Sequence, residues 1–340
     1  MKVEIFRHSG KPKTEKFKKI KYGRNGEKEK SIQNIMILDD MFEAFADAIR
    51  ANGDEPVFNY LPKSQLPEPA YQHALIFGYG RSFKQNGKSA IQDFRYKVLQ
   101  DLKARGGHTV CFDAGYFKTM GNYEYHRVAL DSPLNNGTFL HKKNNTDARW
   151  KSFQQQYEVP WREWTTTDDL ILIFIQPDMG YSMNYAPTLD FIMSSVRRIR
   201  KYDTVSKIGV RGHPKSMKLG DKTQAMLKFC AENNIEFYDY TQYPLYPLLD
   251  RTKRAITYNS SVGVETAAYG VPTVTLHDMS MAWDVADHDI KGKSSLPDRT
   301  QWINDLAHTQ WNAAEIATGE LWAKFKEEMA KRDALTSSTF

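Results

Sequence analysis

Apolar positions along the chain fall into two alternating kinds of block. The runs at 73–77, 109–112, 169–175, 207–211, 255–258 and 273–276 are short and nearly continuous, and most stop at Gly, Pro, Asp or Asn. That is the pattern of strands covered on both faces. Residues 2–6, 57–60 and 236–238 read as further strands. Between them lie amphipathic stretches. Residues 38–50 open on Asp39 and Asp40 and repeat Met41, Phe45 and Ile49 on one face. Residues 188–202 do the same with Leu189, Ile192, Val196 and Ile199. Helices are also predicted over 90–104, stopped by Gly106-Gly107, and over 223–233, with a short helical turn at 245–249.

Strands alternating with helices at this pitch predict parallel βαβ units and an α/β fold. Residues 114–166 interrupt the series with a Tyr-, Asn-, His- and Trp-rich stretch of weak periodicity. The layout therefore predicts two Rossmann-like domains, 1–165 and 166–298. A helical tail, 299–340, has Trp302, Leu306, Trp311, Ile316 and Trp322 to pack back on them. A length of 340 residues agrees, being more than one domain of about 150 residues needs.

Composition narrows the class. At 41% hydrophobic residues the chain has enough apolar material for real cores, which excludes disorder. No apolar run reaches the roughly 18–20 residues that cross a bilayer, and the first residues lack the pattern of a secretory signal. Cys111 and Cys230 sit in apolar surroundings without zinc-like spacing, which suits buried thiols in a reducing cytoplasm. The net charge is +6, and residues 11–30 hold nine Lys and Arg against three Glu. Such a run is a solvated loop or a contact for a polyanion.

Ligands of open α/β sheets bind at the carboxyl ends of strands. The unusual residue groups of this chain all fall at such ends: Gly78-Tyr79-Gly80, Asp113, Gln176-Pro177-Asp178, His213-Pro214 and Ser260-Ser261. After the strand 255–258, the small residues 259–263 make a sharp turn into a helix over 264–269. Gly270 and Pro272 end that helix. Two serine hydroxyls and unpaired N–H groups at a helix start form a place for phosphate, or the serines serve only as caps. Glu265, one turn on, is in reach of a nucleotide sugar. His213, behind Arg211 and held by Pro214, is placed to stabilise charge on a departing phosphate oxygen. Asp113 closes a strand of the other series, where it could take a proton from a hydroxyl acceptor or simply cap a turn.

Taken together these segments resemble the capsule-polysaccharide glycosyltransferases of the Kdo-transferase type and bacterial sialyltransferases of GT-B architecture. Phe112-Asp113-Ala114-Gly115-Tyr116-Phe117-Lys118-Thr119 is similar to the family's Glu-Asp-Gly-Phe-Leu-Arg-Ser segment, with Ala114 at the second acidic position. Gly212-His213-Pro214-Lys215 matches its His-Pro motif, and 259–265 its Ser-Ser motif. Gln176 and Asp178 resemble the Gln and acidic residues at the equivalent strand end. The resemblance spans about 73–276 and implies two Rossmann-like domains facing across a cleft. It also implies sugar transfer from a nucleotide-sugar, UDP- or CMP-linked, to a hydroxyl, with no bound cofactor and no metal. By the same resemblance Arg211, His213, Pro214, Ser260, Ser261, Glu265, Gln176 and Asp178 bind the donor, and Asp113 and His213 are catalytic.

For the acceptor, the run 11–30, Gly80, Arg81, Lys84, Lys88, Tyr116 and Lys118 suit a DNA backbone and a flipped base stacked on aromatics. That favours a 5-hydroxymethylpyrimidine in phage DNA, and hence the host cytoplasm, over a capsule or surface glycan. A nucleotide-sugar 2-epimerase and a noncatalytic nucleic-acid-binding protein remain the alternatives.

Overall fold

The computed structural model describes residues 1–7, 16–22, 28–34, 36–60, 68–78, 82–85, 88–92, 94–116, 124–140, 146–165, 169–176, 183, 186–213 and 221–337. For 16–22, 28–34, 36–38, 60, 82–85, 88–92, 94 and 336–337 it describes backbone only. The chain forms two compact units. One is drawn from Met1–Lys19, Ser31–Trp150 and Asn304–Phe340, the other from Ile20–Lys30 and Lys151–Ile303.

The chain begins with β1 (Lys2–Arg7), β2 (Lys16–Tyr22), β3 (Lys28–Asn34), α1 (Met36–Ala51), β4 (Glu55–Tyr60) and β5 (His73–Phe77). Next come β6 (Ser82–Gln85), β7 (Lys88–Gln92), α2 (Phe94–Ala104), β8 (His108–Ala114), β9 (His126–Leu130) and α3 (Ala148–Tyr157). The second series runs β10 (Leu170–Phe174), α4 (Thr188–Arg200), β11 (Lys207–Arg211), α5 (Asp221–Glu232) and β12 (Glu236–Tyr238). It continues through α6 (Leu245–Leu249), β13 (Thr252–Thr257), α7 (Val262–Ala268) and β14 (Thr273–Thr275). The last elements are α8 (Thr300–His308), β15 (Gln310–Trp311), α9 (Ala313–Ala317) and α10 (Glu320–Ser337).

In the first unit six strands lie in the order β15-β9-β8-β5-β1-β4. The four from β4 to β8 are parallel, and β9 and β15 extend the sheet antiparallel. Alternation along each strand divides the core. Val3, Ile5, Leu75, Val110 and Phe112 meet Met41, Phe45 and Ile49 of α1 and Trp322, Phe325 and Met329 of α10. On the other face Phe6, Ala74, Ile76 and Cys111 meet Val98, Leu99 and Leu102 of α2.

In the second unit five strands, all parallel, lie in the order β12-β11-β10-β13-β14. Ile171, Ile173, Ile208, Val210, Ile256 and Val274 pack under α4 and α5, and Leu170, Leu172, Phe174 and Ala255 under α6 and Tyr269. Each of these Ile, Leu, Val and Phe side chains contributes about 1.5–3 kcal/mol by leaving water. Helices on both faces explain why these strands are uniformly apolar. The direction of winding reverses between β10 and β13, which opens a crevice at their carboxyl ends.

The structure departs from the sequence expectations at the weakly periodic segments. Residues 90–92 belong to β7, which pairs antiparallel with β6, so α2 starts later than the predicted helix. The basic run 11–30 contains β2 and part of β3, which pair with each other, where a loop was expected. Within 114–166 lie β9 and α3. Trp311, expected on a helix, sits in β15 beside His126. Both cysteines are buried and free. No helix among the described residues is long and apolar enough to cross a membrane.

Candidate functional site at the carboxyl edge of the second sheet

Strand register sets the site. Phe174 is level with Arg211, Ile173 with Ile256, Arg211 with Tyr238 and Thr257 with Thr275. Gln176, His213, Asn259 and His277 therefore emerge one or two residues beyond a common edge. Neighbouring strands lie about 4.8 Å apart, so the β11 and β13 ends, with β10 between them, are separated by about 10 Å.

The turn after β13 is closed by its own polar groups. The Ser260 N–H donates to Thr257 Oγ1 at 3.3 Å, and Ser260 Oγ accepts from the Val262 N–H at 3.3 Å. Gly263 and Val264 N–H groups donate to the Ser260 and Ser261 carbonyls, both at 3.0 Å. Gly263 lets α7 rest on the strand ends, because a Cβ there would stand 3.2 Å from Thr257 Cγ2 and 3.4 Å from Thr275 Cγ2. Ser261 occupies the N-cap position of α7 but makes no side-chain cap bond, and it is exposed. The two serines thus divide the work: Ser260 organises the turn, and Ser261 presents its hydroxyl to solvent.

Gln176, 3% exposed, reaches across from β10. Its Nε2–H donates to Asn259 Oδ1 at 2.9 Å, and its Oε1 accepts the Asn259 N–H at 3.0 Å. Arg211 is partly buried, and burial pushes its guanidinium pKa down while the Glu265 and Asp239 carboxylates oppose that shift. A guanidinium keeps its charge under such a shift. Its Nη2–H donates to the Tyr243 carbonyl at 3.4 Å, and its buried Nε has no hydrogen-bond partner among the described residues. Glu265 is partly buried in the first turn of α7. His213 is partly buried, and Gly212 before it is held by the Tyr238 carbonyl at 2.9 Å.

Sequence reasoning overlooked three residues at or under this edge. Asn259 is the first. His277, just past β14, has its ring 5.2 Å from that of Tyr258, and its Nδ1 accepts the Met279 N–H at 3.2 Å. Its position two residues beyond a buried strand was the available signal. The third is Arg299, 3% exposed, which lies over the Trp161 and Trp164 rings at 4.4 and 3.9 Å. It donates to the Ala267 carbonyl at the end of α7 and to the Arg162 carbonyl at 2.6 Å. Gly270, at φ +84°, ends α7 as expected: Gly270 and Val271 N–H groups return to Ala267 and Thr266 carbonyls at 3.2 and 3.0 Å. This is a Schellman arrangement.

In the first unit, Asp113 stands opposite Arg127 in the β8–β9 pair, and Arg127 Nη2 donates to its Oδ2 at 2.6 Å. Asp113 Oδ1 accepts the Ala114 N–H at 2.8 Å. Tyr116 is 5% exposed, with the Arg127 guanidinium 4.7 Å from its ring centre. Gly80, Arg81, Lys118, Asp178 and Pro214 lie outside the described residues, and Lys84 is described only as backbone in β6. One Asp-x-Asp triplet, Asp287-His288-Asp289, is present. Asp287 pairs with Arg254 at 2.9 Å and Asp289 with Arg198. No cluster of three or more His, Cys, Asp or Glu that could hold a metal occurs among the described residues.

No family model and no curated protein matches the chain. Among solved structures it is similar to the β-Kdo 2,7 transferase of KpsC from Thermosulfurimonas dismutans, at 11% identity and a TM-score of 0.48 over 94% of this chain and 98% of that one. The β-Kdo 2,4 transferase of the same protein gives 13% identity and 0.48, over 80% and 88%. The Methanocaldococcus jannaschii UDP-GlcNAc 2-epimerase, in complex with UDP-GlcNAc and UDP, gives 11% and 0.31, over 89% and 97%. All three TM-scores lie below 0.5, so no activity or substrate passes from those proteins to this chain.

Proposed function

We propose that the protein is a glycosyltransferase whose second unit holds a nucleotide-sugar donor and whose product is a glycosylated hydroxyl. The observation that carries this reading is the common edge of β10, β11 and β13. Arg211 and His213 lie at the end of β11, and the Asn259–Ser261 turn and Glu265 follow β13 in the same all-parallel sheet. Such an edge supplies hydroxyl, imidazole and guanidinium donors to a diphosphate, or to the single phosphate of a CMP-sugar. In the reaction the bond from the anomeric carbon to the phosphate oxygen breaks, and the nucleotide leaves with the electron pair. A bond from the acceptor oxygen to the same carbon forms. Ser261, His213 and Arg211 stabilise the charge arriving on the phosphate, and Glu265 binds the ribose. The acceptor proton passes to a carboxylate, for which Asp113 is the candidate.

The acceptor is proposed to be a glycan hydroxyl. The DNA reading counted Tyr116 among its stacking aromatics, and Tyr116 is buried against the Arg127 guanidinium. A thermal-shift series with UDP, CMP, GDP and ADP should single out one nucleotide. Transfer assays with the corresponding sugar should then favour glycan over hydroxymethylated DNA. Ser261→Ala and His213→Ala should each abolish transfer with folding retained. Normal turnover in both variants, or hydrolysis or epimerisation of the donor without any acceptor, would refute the assignment.

A further inference from the structure

A primary amide carries a donor and an acceptor side by side in one plane, so it reads a neighbour at two points when both are engaged. Gln176 does this to Asn259, giving Nε2–H to the side-chain Oδ1 at 2.9 Å and taking the main-chain N–H on Oε1 at 3.0 Å. The two residues lie 83 apart in sequence. They stand just past the ends of β10 and β13, the adjacent strands between which the winding reverses. Gln176 is itself steadied, since the Thr188 hydroxyl at the start of α4 donates to its carbonyl at 3.3 Å. Directly after Asn259 come Ser260, which closes the turn, and Ser261, which is exposed.

We infer that Gln176 and Asn259 form a clasp that positions the Ser260–Ser261 turn for an anionic nucleotide ligand, acting through the turn. The ligand half of this inference rests on the donor-site reading above. The resemblance placed Gln176 among the groups that bind the donor. Here its amide is spent on Asn259, which makes both of them positioning residues.

The bonding polarity makes the idea testable. A carboxylate at 176 would still accept the Asn259 N–H but would set acceptor against acceptor at Oδ1. A carboxylate at 259 would accept the Gln176 Nε2–H at least as well as the native amide. Gln176→Glu should therefore loosen the turn at pH 7.5, and recover in part near pH 5, where a protonated acid can donate to Oδ1. Asn259→Asp should stay close to wild type, and Gln176→Met should be loose at every pH. A residue that merely fills space would tolerate Met, and a ligand contact would show no effect without ligand.

The full chain and these variants would be compared by hydrogen exchange of the amides at 259–262 without ligand, and by calorimetric titration with UDP, CMP, GDP and ADP. Losing one net hydrogen bond of about 1–1.5 kcal/mol corresponds to roughly a tenfold change. Exchange should thus quicken about tenfold in Gln176→Glu, which loses one bond, and more in Gln176→Met, which loses both, and affinity for whichever nucleotide binds should fall in the same order. Unchanged exchange in both, or an Asn259→Asp variant as damaged as Gln176→Glu, overturns the clasp. If Gln176→Glu does not fold, Gln176→Met and Asn259→Asp carry the same contrast. If the wild-type chain binds no nucleotide, the donor reading falls together with the ligand half of the inference, and the exchange order alone decides the positioning half.

Discussion

Arg299→Met removes a guanidinium that is 3% exposed, packs on the Trp161 and Trp164 rings, and donates to the Ala267 and Arg162 carbonyls. Met keeps much of the apolar contact with the rings, so the loss is mostly polar. Hydrogen bonds from a charged donor contribute about 1.5–3 kcal/mol each, and each cation–π contact about 0.5–2 kcal/mol. Against them stands a desolvation penalty of several kcal/mol for the buried cation, which Met would no longer incur. The Arg162 carbonyl left without this donor costs about 1–3 kcal/mol, whereas the Ala267 carbonyl keeps the Gly270 N–H. The balance is a destabilisation of about 3–5 kcal/mol, close to that for removing one partner from a buried charged network. It should appear in the second unit and, within it, at the end of α7, where a cation also complements the helix dipole. Urea unfolding followed by tryptophan fluorescence, with hydrogen exchange of the α7 amides, measures both. Arg299→Lys keeps a charge over the rings but lacks the planar fork, so it should recover only part of the loss. A destabilisation under about 1 kcal/mol, or a Lys variant equal to wild type, would refute this account.

Gly270→Ala puts a Cβ 2.1 Å from the Glu163 carbonyl oxygen at φ +84°. Left-handed strain of about 1–2 kcal/mol and overpacking of about 1–3 kcal/mol should lower Tm by several degrees. An unchanged Tm would mean the 162–165 segment moves aside freely. In the first unit, Asp131, 3.9 Å from His108 Nδ1, and Asp333, 3.2 Å from Nε2, raise the His108 pKa above its ordinary value against the effect of burial. A raised folded pKa gives stability that is complete below about pH 6.5 and is lost as pH rises through the folded value. The stability gap between wild type and His108→Gln should therefore narrow from pH 6 to pH 9, and a constant gap in urea unfolding would refute the pairing. His73, 5.8 Å from His108 ring to ring, is shifted down by burial and by His108. Its own contribution is lost on the acid side, as pH falls through its folded value. Asp113→Asn weakens the 2.6 Å pair with Arg127 and should lower turnover while leaving nucleotide affinity intact. Loss of nucleotide binding would place Asp113 in the donor site instead.

Much of the second unit was legible in the chain. The runs at 207–211 and 236–238 and the turn at 245–249 coincide with β11, β12 and α6. Strands covered on both faces, and helices with one apolar stripe, announce themselves locally. The β6–β7 pair, β9, α3 and β15 did not. Arg127 lies in the weakly periodic stretch 114–166, yet the antiparallel addition of β9 sets it against Asp113. Gln310 and Trp311 lack strand periodicity, and they become a strand because the register offers them Arg127 and His126 as partners.

By itself the amino-acid sequence determined the buried parallel strands and most of the helices between them, and which polar residues lie just past the ends of those strands. Those properties depend on neighbours a few positions away. Tertiary structure alone decided which of the polar groups meet. Gln176 finds Asn259, Arg299 finds the end of α7, and Arg211 comes under the influence of Glu265, because strand order and register place them together. A hydrogen bond or ion pair needs its partners within about 3 Å and properly aligned, and no spacing along an unfolded chain encodes that meeting.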